Sequence, residues 1–100
     1  MNFVAQFFAG AFICNCIPHL CAGLQGTPFP TPFAKPRGVG ESSPLVNFLW
    51  GALNLAIGVA LFARRPAAPG LNWECAAFAA GFVILGVQLS RHFGRVRAKR

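Results

Sequence analysis

Residues 1–34 contain no Asp, Glu, Lys or Arg. Residues 45–63 contain none either, and between Arg65 and Arg91 the only charged side chain is Glu74. Helices built from such runs are apolar on every side, and a 100-residue chain has too little polar surface to wrap them in water. Hydrophobic residues make up 55% of the chain and charged residues 11%, where a soluble domain carries roughly a quarter of charged residues. A hydrocarbon core about 30 Å thick needs about 20 apolar helical residues at about 1.5 Å each. Three segments meet that length. The expected fold is all-α: one integral membrane domain with spans at about 2–24, 44–62 and 73–90, a connecting loop at 25–43 and a basic tail at 91–100.

Charge orients the spans. The chain has nine Lys or Arg against two Asp or Glu. With three spans, the first loop (Lys35, Arg37) shares a side with the tail (Arg91, Arg95, Arg97, Lys99, Arg100). The second loop carries only Arg64 and Arg65. The positive-inside rule then puts the N-terminus outside and the C-terminus in the cytoplasm. A multi-pass protein of the cell membrane is expected, of the bacterial inner membrane in particular. The first span reads as structure and not as a cleaved leader, since it lacks a basic flank and a small-x-small site. "PHLC" lacks the small residue that a lipoprotein signal places before its cysteine.

Local signals refine the ends. Pro18 inside the first span predicts a kink near Asn15–Pro18, or a helix end with a short second piece. "TPFPTPF" predicts an extended, polyproline-like path through the loop, and "GVG" a turn. Ser43 is a good N-cap with Pro44 as the first helical residue, and Asn72 is a good cap for the third span. Trp73 suits a membrane interface, and Glu74 suits a helix N-terminus. "RRPAAPGLN" reads as a tight outer turn.

The polar residues within the spans form stripes. At 100° per residue, Asn47, Gly51, Asn54 and Gly58 share one face of the second span. Glu74, Gly81, Gln88 and His92 share one face of the third, and that face is expected to receive the second span's stripe. In the first span Ala11, Asn15, His19 and Ala22 align, while Gln6 points away and is expected at the interface. Small residues let helices approach, and amides hydrogen-bond across the gap. The same stripes would also serve as the wall of a polar cavity, since intramembrane polar groups often mark a site. His19, Asn47, Gln88 and His92 fall in the cytoplasmic half, under the first loop.

That placement gives the loop two readings. Phe29, Phe33 and Glu41 make it a lid over the polar cluster, with Glu41 reaching His19, His92 or the tail. Otherwise it is a stiff connector whose phenylalanines dip into lipid while Lys35 and Arg37 meet anionic headgroups.

Chemistry finds little support. No Ser/His/acid set exists, and the two acids, Glu41 and Glu74, fall on opposite sides of the membrane. No catalytic residue, metal site or cofactor is assigned. Cys14 and Cys16 point apart on a helix; Cys14 and Cys21 share a face but make a poor metal site alone, and all four cysteines, Cys75 included, suit apolar filling. His19 and His92 raise axial haem ligation as a minor alternative. The tail lacks interleaved aromatics beyond Phe93, so lipid and not nucleic acid is its expected partner. The reading is a non-enzymatic structural or accessory membrane subunit, forming a homo-oligomer or joining a larger complex through its Gly/Asn faces. The alternative is a small transporter or channel whose cytoplasm-facing cavity is lined by Asn15, His19, Asn47, Asn54 and Gln88. A haem or redox subunit comes third.

Overall fold

The computed structural model describes residues 3–64 and 72–99. It contains three helices, α1 (Phe3–Leu24), α2 (Pro44–Arg64) and α3 (Trp73–Ala98), all long and apolar enough to span a membrane. Between α1 and α2 the chain adds a two-stranded antiparallel pair, β1 (Phe29–Pro30) and β2 (Glu41–Ser42). The architecture is therefore all-helical apart from this short hairpin, which the prolines of the loop did not suggest. The expected outer turn lies mostly on residues 65–71, outside the described residues.

α1 runs unbroken through Pro18. Proline cannot donate to the carbonyl four residues back, but in a bilayer neighbouring groups can compensate. α2 starts sharply: Ser43 Oγ accepts from the Val46 N–H at 3.2 Å, the hydrogen bond of an N-cap. Asn72 caps α3 by accepting from the Cys75 N–H at 3.0 Å. The third helix does not stop at Ser90. It continues to Ala98, so most of the expected tail is helical. Arg, Val, Ala and Lys all tolerate a helix, and basic residues in its last turns complement the dipole. At 26 residues α3 is about 39 Å long, which carries its last two turns beyond a core of about 30 Å.

α1 is the middle of the bundle. It packs against both α2 and α3, which scarcely touch each other apart from a Phe62–Phe78 ring contact at 6.0 Å. Ala9, Ile13, Leu20 and Gly23 of α1 meet α2. Phe7, Gly10 and Cys14 meet α3. These sets lie on different faces of α1, roughly 130° apart. Close approach needs glycine at both seams: a methyl on Gly81 would strike the Phe7 carbonyl, and one on Gly51 would lie 2.8 Å from Leu20. The expectation that the α3 stripe receives the α2 stripe is thus replaced by two separate seams, each made with α1.

The loop is extended at Phe29–Pro30 and folds into turns from Pro32 onward. Thr31 is buried and organises it: its Oγ1 lies 2.6 Å from Ser42 Oγ and accepts from the Phe33 N–H. The Thr31 carbonyl accepts from the Ala34 and Gly38 N–H groups. Gly38 has φ +68°, a left-handed conformation that favours glycine, so the "GVG" turn has a specific geometry.

Candidate functional site

The four buried residues of α2 are Asn47, Gly51, Asn54 and Gly58. Gly51 and Gly58 sit against Leu20 and Ile13, bringing the α1 and α2 backbones together. That proximity lets the two amides reach across. Asn15 donates through Nδ2 to Asn54 Oδ1 at 2.9 Å, and Asn54 Nδ2 donates to the Trp50 carbonyl of its own helix. One level nearer the loop, His19 Nδ1 lies 2.8 Å from Asn47 Oδ1. Both residues are almost wholly buried.

Asn47 links three parts of the fold. Its Nδ2 donates to the carbonyls of Phe29, Ser42 and Ser43, at 2.9, 3.2 and 3.1 Å. The first two belong to β1 and β2, so one amide fastens α2 to the hairpin and, through His19, to α1. The amide orientation follows from this network, because a flipped Asn47 would aim its oxygen at three carbonyl oxygens. Asn47 Oδ1 must then accept from His19, which places a proton on His19 Nδ1. By the same logic the Gly38 carbonyl, 2.7 Å from His92 Nε2, places a proton on that nitrogen.

Aromatic rings close this end of the bundle. Phe29 is buried, with its ring edge-on to His19 at 5.5 Å and tilted against Phe93 at 4.7 Å. Phe93 in turn meets His92 at 5.0 Å. His19 and His92 are therefore linked through two phenylalanine rings, and each is hydrogen-bonded within the protein. Phe33 stays 63% exposed but lays its ring edge-on to Trp50 at 5.0 Å. The loop thus sits over the polar cluster, with Phe29 as its inserted side chain.

Other expected residues fall elsewhere. Gln88 is exposed on the outer face of α3, beside Arg91, and does not join the cluster. Gly81 is buried, but against α1. Glu41 is exposed on β2, paired in register with Pro30, and the histidines take Asn47 and the Gly38 carbonyl as partners. Gln6, expected at the interface, is only 1% exposed. Thr31, Ser42 and Phe93 carry contacts that no sequence pattern singles out. The pairing of Thr31 with Ser42 links residues eleven apart through a turn that no local pattern encodes.

Chemically, the arrangement is a fastening. Among the described residues no group of three or more His, Cys, Asp or Glu could hold a metal ion. The cysteines are free thiols; Cys14 and Cys16 are buried, and Cys16 donates to the Ile13 carbonyl. A recess of about 230 Å³ reaches the amides and is lined by Phe8, Ala11, Phe12, Asn15, Asn54 and Leu85. No protein-family model, curated protein or solved structure matches the chain.

Proposed function

We propose that this protein is a non-enzymatic structural or accessory subunit of the cell membrane, with its N-terminus outside and its basic end in the cytoplasm. The observation that carries this reading is Asn47. Its oxygen engages His19 and its nitrogen engages three loop carbonyls, all inside the protein. A side chain so occupied can bind a cargo only after the loop has been unfastened, whereas a structural role asks nothing more of it.

The outer surface of α3 supports the same reading. Gly81 and Val96 are its only buried residues among those described, while Val83, Ile84 and Val87 face outward. The Gly/Asn stripe of α2 is used within the monomer, so assembly with another subunit falls to exposed apolar surface: Leu49, Leu53 and Val59 on α2 and Val83 on α3. In lipid such association relies on packing and not on apolar burial. Native mass spectrometry on protein gently extracted from its own membrane tests the reading. A second copy or a foreign subunit at fixed stoichiometry supports it, and a lone chain that conducts ions in vesicles contradicts it.

A small transporter or channel is the second reading. One observation favours it, the recess of about 230 Å³ with the Asn15–Asn54 pair on its wall. There, Asn54→Ala should change flux while the assembly survives.

A further inference from the structure

We propose that the outer face of α3 holds a single anionic phospholipid, with its phosphate on Arg91 and Arg95 and an acyl chain along Ile84 and Val87. This rests on α3 spanning the membrane and not on the accessory role.

A groove of about 320 Å³ runs over Ile84, Val87, Gln88, Arg91 and Arg95. At 100° per residue these five side chains fall within an arc of roughly 100°, and all five are exposed. Arg91 and Arg95, four apart, stand one above the other, so two guanidinium groups can converge on one phosphate in the forked geometry that suits it. Gln88 lies one turn below and adds a neutral amide at the level of a glycerol ester. Ile84 and Val87 lie below that and are 57% and 52% exposed, offering an apolar track where an acyl chain begins.

Depth agrees with this order. A core of about 30 Å counted from Trp73 ends about 20 residues later, close to His92. Arg91 and Arg95 then stand at headgroup level, and Ile84 stands about 10 Å deeper than Arg91.

Charge selects the occupant. Neither arginine has a hydrogen bond or ion pair with any described residue. The only acid on α3, Glu74, is about 25 Å away at the other end of the helix. A free phosphate would satisfy the arginines but leave the apolar track uncovered, so a lipid fits the whole groove.

The test uses the full chain in vesicles of phosphatidylcholine with phosphatidylglycerol as the minor component. Co-flotation reports insertion, circular dichroism reports the fold, and native mass spectrometry reads the lipid retained. Wild type should retain one phosphatidylglycerol in preference to phosphatidylcholine. Arg91→Gln with Arg95→Gln should weaken that retention about thirtyfold. Lys35→Gln with Arg97→Gln removes the same charge elsewhere, since Arg97 points about 200° away from Arg95, and should leave it intact. Ile84→Trp should block the acyl track and weaken retention with the charge unchanged. Three results overturn the proposal: no preference for phosphatidylglycerol, equal loss in the two double variants, or displacement of the lipid by inorganic phosphate.

Discussion

His19 on α1 and Asn47 on α2 meet through a 2.8 Å contact between Nδ1 and Oδ1, buried directly beneath Phe29. Because Asn47 also holds both strands of the hairpin, this contact joins two helices and the loop above them. The size of that coupling distinguishes a fastening from an ordinary polar contact.

Asn47→Ala should destabilise the protein by about 2–3 kcal/mol, the cost of leaving buried polar partners unsatisfied. Steric trapping in bicelles measures it directly. Hydrogen exchange in the loop should rise in the same variant, because the Phe29 and Ser42 carbonyls lose their donor.

The second amide pair should matter less. Asn15 and Asn54 make one interhelical hydrogen bond, and such bonds within membranes average about 0.6 kcal/mol, with a maximum of about 1.7. A double-mutant cycle with alanine at both positions should return a coupling in that range, well below the loss in Asn47→Ala.

Two glycines on α3 should behave in opposite ways. Gly81→Ala forces a methyl against the Phe7 backbone and should part α1 from α3. Gly94→Ala meets nothing within 4 Å. It should be neutral or stabilise the helix by up to about 1 kcal/mol, the propensity difference between the two residues. Thermal melts followed by circular dichroism separate the two.

The two loop phenylalanines also make a contrast. Phe29→Ala removes a buried ring that touches both His19 and Phe93, and should cost about 3 kcal/mol. Phe33→Ala removes a ring that is mostly exposed, and should cost less than half as much. The same steric-trapping measurement ranks them.

The three long helices were legible because charge-free runs of this length, in a chain this short, read as helices apolar enough to cross a membrane. The α2 stripe was legible because Asn47, Gly51, Asn54 and Gly58 repeat at helical spacing. Which helix would meet it was not, since both neighbours offered small and polar residues on one face. The missed signal lies in α1. Gly10 and Gly23 are thirteen residues apart and point roughly 220° from one another, and each lets a different helix approach: Gly10 meets Phe78 and Phe82, and Gly23 meets Phe48. Small residues on two faces mark a central helix. The loop was misread because proline content speaks to local stiffness, whereas its shape depends on Thr31, Ser42 and Asn47, which act across turns. Gln6 is buried despite its polarity because α1 is the middle helix and more than one of its faces is covered.

The polar cluster is closed on itself, with Asn47 accepting a hydrogen bond from His19. Nitrogen-15 spectra of labelled histidine in membranes read this most directly. Two distinct imidazoles are expected: His19 protonated on Nδ1 and slow to exchange with water, and His92 protonated on Nε2. Asn47→Ala should abolish the slow exchange of the first. A His19 ring that exchanges rapidly in the wild-type protein, or that carries its proton on Nε2 alone, would contradict the fastening and point to an open, hydrated cavity.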